Sequence, residues 1–154
     1  MAYLGMGIAY DGLNRYERAI EAFKQAVMVK PDFAEAYLNL GMTYGRLGRY
    51  TEAIDACKQA IQIQPGYAMA YYSLGIASNE LALYDQAIEA FQKVTDLKPD
   101  FPDAYTNLGI TYGAMGRYQE AYNHFQQAYS IRNRSVYFEA MKRMKEEQNI
   151  QEGQ

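Results

Sequence analysis

Apolar positions recur along the chain with two nested periods. The short one is helical: Tyr37, Leu40, Gly41 and Tyr44 are spaced by three and four residues, which at about 100° per residue places them on one face of a helix. The long one is 34 residues, seen in Tyr3, Tyr37, Tyr71 and Tyr105 and in Gly7, Gly41, Gly75 and Gly109. Later in each period comes a second apolar set, Ala19, Ala53, Ala87 and Ala121, followed by Phe23, Cys57, Phe91 and Phe125. A fixed period of this length predicts a stack of like units, each a pair of helices that cannot bury its apolar face alone. The Gly and Ala positions let the two backbones approach closely, and the aromatic side chains fill the space beside them.

Turn and breaker residues divide the chain consistently with this pairing. Gly48 and Gly116, with Asn14 in the first unit, stand where the first helix of each pair must end. Pro31, Pro65 and Pro99 stop the second helix, and Asp32 and Asp100 are expected to cap the helix that follows, Asp32 forming a capping box with Glu35. Pro102 suits the first turn of a helix, where its missing N–H costs nothing. The units span residues 1–33, 34–67, 68–101 and 102–135, followed by a cap helix over 136–148 and a flexible tail over 149–154. The cap helix carries Tyr137, Ala140, Met141 and Met144 at helical spacing among charged residues, a stripe suited to covering the fourth unit.

Composition narrows the function classes. With 15 Lys and Arg against 18 Asp and Glu the net charge is −3, so no basic field exists to hold a phosphate backbone, and nucleic acid is not expected as a partner. No apolar run approaches the roughly 18 residues of a membrane span. The opening residues match later units position by position and are read as structure, not as a leader. One Cys and one His exclude an internal disulfide and a metal cluster of Cys/His spacing. The expected compartment is the cytoplasm.

The second unit reads Tyr37-x2-Leu40-Gly41-x2-Tyr44, then Ala53-x3-Cys57, then Pro65; the fourth carries Tyr105, Leu108, Gly109, Tyr112, Ala121 and Phe125. This resembles the tetratricopeptide repeat family over nearly the whole chain. Departures are Met6 for Leu, Ser78 for Tyr, Val94 for Ala and Asn133 for Pro. The resemblance implies an all-α fold, a right-handed α-solenoid of tandem helical hairpins, and a concave groove lined by the first helices, where ligands of the family usually bind.

The groove-facing positions lie opposite the Tyr, Leu and Gly stripe, over an arc of about 120°. They hold Leu4, Ile8 and Asp11; Glu35, Leu38, Asn39, Met42 and Arg46; Met69, Tyr72, Ser73, Ile76, Asn79 and Glu80; and Asp103, Thr106, Asn107 and Ile110. The first helices are therefore apolar on both faces. Either neighbouring first helices bury the second stripe against one another, or it is an exposed strip for a partner. Asn39 and Asn107, with Ser73 between them, resemble the asparagine ladder of O-linked N-acetylglucosamine transferase, in which an amide holds a peptide backbone; bonding within the stack is the competing reading. Chaperone-binding members clamp an acidic C-terminal tail with Lys and Arg at positions that here hold residues such as Glu35, Leu38, Asn39, Tyr72 and Asp103, so no carboxylate clamp is expected.

No catalytic, cofactor or metal residues are predicted. His124 reads as a surface histidine and Cys57 as a packed thiol. The expected function is a non-enzymatic scaffold that binds a peptide or helical segment with apolar or aromatic anchors and basic flanks. Self-assembly through the end repeats, as a homo-oligomer, and service as the docking arm of a larger enzyme are the alternatives.

Overall fold

The structure is a computed structural model, and it describes residues 2–153. Among these residues the chain forms nine α-helices and no strand: α1 (Ala2–Gly12), α2 (Tyr16–Val29), α3 (Ala34–Arg46), α4 (Tyr50–Ile63), α5 (Ala68–Glu80), α6 (Tyr84–Leu97), α7 (Pro102–Ala114), α8 (Tyr118–Ile131) and α9 (Ser135–Gln151). The fold is all-α, as the nested periodicity predicts. Two compact units divide it, the first ending at Leu81 and the second starting at Ala82.

In the first unit α1 pairs with α2 and α3 with α4, while α2 packs on α3, α4 on α5, and α3 touches both α1 and α5. The repeated Gly and Ala sit at the closest approaches. A Cβ on Gly41 would stand 2.8 Å from the Cys57 sulfur and 3.1 Å from the backbone oxygen of Ala53, so only glycine lets α3 lie this near α4. Ala36, Ala53 and Cys57 are essentially sealed from water. Leu38 joins Ala60 and Ala70 in a core that Tyr37, Met42, Ile61, Tyr67 and Met69 cover from the side.

The second unit repeats this plan. α6 packs on α7, α7 pairs with α8, and α9 lies against α8. Phe91, Val94 and Leu108 are fully buried, and a Cβ on Gly109 would fall 2.9 Å from the Phe125 ring. Ser78, which replaces the repeat's Tyr at the end of the first unit, is buried and gives its hydroxyl to the Leu74 carbonyl at 2.7 Å.

Helix ends follow the predicted punctuation in part. After α3, Gly48 takes φ +72° while the Arg49 N–H returns to the Tyr44 carbonyl at 3.0 Å, closing the helix with a left-handed residue. Gly116 (φ +72°) and Asn14 (φ +57°) do the same, and Ala82 (φ +55°) holds the equivalent place after α5. An alanine there carries a Cβ penalty that glycine does not. Lys30, Gln64 and Lys98, each followed by proline, are extended, and Arg132 adopts the same geometry before Asn133, so the proline is not required for the break.

The capping expectation is not met. Phe33 and Phe101 occupy the N-cap positions of α3 and α7, without a side-chain cap bond, because each helix starts one residue later than a capping Asp32 or Asp100 requires. Phe33 is half-buried, with the Lys30 ammonium 5.1 Å from its ring centre. Pro102 does open α7. α9 runs past the boundary expected at residue 148, since Asn149, Ile150 and Gln151 include no breaker, and it gives way at Gly153 with φ +75°.

Candidate functional site

Side chains on the outward faces of α3 and α5 enclose a cleft of about 300 Å³ in the first unit. Gly41, Gly45 and Ala53 are small enough to leave it open, while Met42 and Tyr50 on one side and Met69, Tyr72, Ser73 and Ile76 on the other form its walls. Arg46 and Glu80, each at a helix end, stand at the rim. Two flexible thioethers beside an aromatic ring give an apolar surface that can adapt to the shape of what it meets.

The rim charges are organised by partners in the same unit. Asp11 of α1 pairs with the Arg46 guanidinium through one oxygen and accepts the Thr43 hydroxyl at 3.0 Å through the other. Thr43 is buried, and its hydroxyl also reaches the Asn39 carbonyl, 2.8 Å away. The negative charge of Glu80 raises the Tyr50 phenol above its ordinary value of 10.0.

The structure gathers some of the predicted residues and separates others. Met42, Arg46, Met69, Tyr72, Ser73, Ile76 and Glu80 line the one cleft. Leu4 and Leu38, at 7% and 6% exposure, are core residues and offer nothing to a ligand. Leu4 and Leu38 are covered by a neighbouring helix, whereas Tyr72 and Thr106, at the same place in their own repeats, are half-buried; one turn further along, Ile8, Ile76 and Ile110 stay exposed and Met42 is half-buried. The packing reading therefore holds for Leu4 and Leu38, and the exposed reading for Ile8, Ile76 and Ile110. Glu35 is exposed and Asn79 half-buried on these helices, outside the cleft lining.

The asparagines bond within their own helices. Asn39 donates its amide to the Glu35 carbonyl and Asn107 to the Asp103 carbonyl, each at 2.8 Å. Thr106 likewise gives its hydroxyl to Pro102.

A larger pocket, about 660 Å³, lies in the second unit between α7 and α9, over Tyr118 and Phe125 of α8. Thr106 and Ile110 are the only predicted groove residues that line it. Sequence reasoning missed its α9 wall by assigning that helix a capping role alone. It also missed Tyr50 and Tyr118, although Tyr16, Tyr50, Tyr84 and Tyr118 recur every 34 residues and carry that signal openly.

His124 differs from the surface histidine expected. It is half-buried, its ring stacked on Tyr112 at 5.2 Å and 8° and near Tyr105 at 6.5 Å, with Nδ1 3.0 Å from the Gln127 amide oxygen. Burial lowers its pKa from the ordinary 6.5. The counterparts Ala22, Ala56 and Ala90 are small and buried, so the imidazole fills a notch that alanine leaves open. Cys57 is sealed in the core, and burial pushes its thiol up to about 12, which suppresses the nucleophilic thiolate. Among the described residues no cluster of three His, Cys, Asp or Glu could hold a metal ion, and no helix is long and apolar enough to cross a membrane.

Three family models match the chain: tetratricopeptide repeat over residues 4–68, TPR repeat over 83–116, and tetratricopeptide repeat over 102–132. No curated protein matches it. Among solved structures, a crystal structure of MamA protein superposes with TM-score 0.92 at 27% identity, covering 99% of this chain and 84% of that one. MamA from Desulfovibrio magneticus gives TM-score 0.80 at 27% identity, over 84% and 73% of the two chains. A thermophilic TPR protein of Thermus thermophilus matches in fold, with TM-score 0.74 at 21% identity over 93% and 79%.

Proposed function

Because the chain belongs to the tetratricopeptide-repeat family, a family of protein-interaction scaffolds, we propose that it is a non-enzymatic binding module whose α3–α5 cleft takes an apolar or aromatic anchor from a partner peptide. The observation that carries this reading is the cleft itself: Met42, Met69, Tyr72 and Ile76 leave apolar surface open to water around about 300 Å³. Such a volume is at the small end of ligand sites and suits one large side chain with its neighbours.

The partner is a protein segment with a Lys or Arg flank for Glu80; neither nucleic acid nor membrane insertion enters this reading. Each buried anchor contributes about 1.5–3 kcal/mol of gross transfer energy, and ordering the peptide cancels much of it, which leaves micromolar affinity. The test is calorimetry with a synthetic peptide panel carrying one Phe, Leu or Met anchor and basic flanks. Replacing Tyr72 and Ile76 together with Lys abolishes the heat of binding while circular dichroism stays native. Undiminished binding by that folded variant rejects the cleft. An acidic C-terminal chaperone peptide gives no measurable heat, since no Lys or Arg clamp lines the cleft; micromolar binding would overturn the assignment of its lining.

A second reading rests on the end face of α1. Tyr3 and Met6 are 41% and 47% exposed, whereas Leu40, the counterpart of Met6 that α2 covers, is 6% exposed. Self-assembly would cover this face with another copy. Sedimentation across a concentration series decides it: a monomer at every concentration excludes assembly.

A further inference from the structure

The pocket in the second unit has a shape and a charge pattern of its own. One wall is the row Thr106, Ile110 and Ala114 of α7, and the other is Val136, Ala140 and Met144 of α9, each row stepping one helical turn at a time. Gly109 and Gly113 keep the floor low. Ile110 and Val136 are 49% and 60% exposed, so both walls are apolar and open to water. One residue beside the trough departs from the repeat. The third residue of α3, α5 and α7 is Ala36, Ala70 or Ala104, each fully buried, whereas the third residue of α9 is the buried Tyr137. A phenol ring thus stands where the repeat has a methyl group, and it lines the trough.

Above the α9 wall, Glu139, Arg143 and Glu147 form a rim of alternating sign at one-turn spacing. Arg143 and Glu147 are only loosely paired, at 3.9 Å, so their charges remain available to a ligand. A trough with two apolar walls requires a two-row ridge, which an amphipathic helix supplies with positions i, i+3, i+4 and i+7 and an extended strand does not. From Thr106 to Ala114 the trough runs for about 12 Å, some two helical turns.

The geometry points to a helix-docking site between α7 and α9, whose occupant is an amphipathic partner helix with a flank reading basic, acidic, basic at one-turn spacing. This rests on the reading of the chain as a peptide-binding module and adds a second site with a different ligand class. Charge complementarity of this kind sets register and partner choice.

The test uses the full chain and two synthetic 16-residue helices with identical Leu stripes, one flanked Lys-Glu-Lys and the other Glu-Lys-Glu. Fluorescence anisotropy should show the first binding about tenfold more tightly. The triple variant E139K/R143E/E147K should reverse that preference, and Ile110→Asp should weaken both peptides without loss of helicity. Equal binding of the two peptides, or an unreversed preference in the triple variant, overturns the charge reading. If Y72K/I76K abolishes helix binding and Ile110→Asp does not, the helix belongs in the α3–α5 cleft and this site is wrong, although the module reading survives. A charge-sensitive dimer in sedimentation would make a second copy the occupant, which also overturns the proposal.

Discussion

The α3–α5 cleft and the α7–α9 trough are built at the same register of the repeat, yet one is less than half the volume of the other, about 300 against 660 Å³. In the first unit Ala70 lets α5 settle close, Met42 and Met69 occupy the gap, and the Asp11, Thr43 and Arg46 network ties α3 to α1. In the second, the Tyr137 ring takes the place of that alanine and lines the trough, and Ala114 stands where Arg46 does in the cleft. One repeat plan thus carries different sites through changes at two or three residues.

Tyr137→Ala tests that difference most severely. Truncating a buried aromatic costs about 3–5 kcal/mol, and here the loss should fall on the second unit: hydrogen exchange should lose protection in α8 and α9 while α1 to α4 keep theirs. Uniform loss across both units would mean that the ring is an ordinary core residue. Gly41→Ala attacks the floor of the cleft instead. Its methyl meets the Ala53 backbone and the Cys57 sulfur, so overpacking of about 1–3 kcal/mol should outweigh the gain of about 1 kcal/mol in helix propensity, and urea unfolding should shift to lower midpoint.

Ala82→Gly touches neither site and serves as the control. Relieving the left-handed alanine should stabilise the chain by about 1 kcal/mol, read as a higher melting temperature with peptide binding unchanged. The smallest effect belongs to His124. Its folded pKa is depressed by burial, so the stability linked to it is present above the ordinary 6.5 and is lost as pH falls below that value. A pH series of urea midpoints should show this acid-side decline, and His124→Ala, which restores the residue found in the other hairpins, should flatten it.

Much of this was legible in the sequence because packing repeats and specificity does not. The 34-residue recurrence of Tyr37, Gly41 and Ala53 states the hairpin outright, and Gly48 and Gly116 mark its turns. Periodicity could not tell Leu38 from Ile76, since both lie on the outward arc; only the approach of the next helix buries one and exposes the other. Asp32 looked like a cap because Asp caps helices elsewhere, but the chain begins α3 at Ala34, with Phe33 at its N-cap. The α9 wall was hidden for a related reason: its charged residues read as a solvated face, and nothing in a linear pattern says that Glu139, Arg143 and Glu147 border a trough.

Methionine methyl NMR gives the most direct test, because methionines stand at each competing surface: Met42 and Met69 in the cleft, Met144 in the trough and Met6 on the end face. Titration with a peptide bearing an aromatic anchor and basic flanks should move the Met42 and Met69 methyl signals together, leaving Met6 in place. Movement of Met6 with Met42 and Met69 unmoved would contradict the account and put the binding surface at the end of the stack.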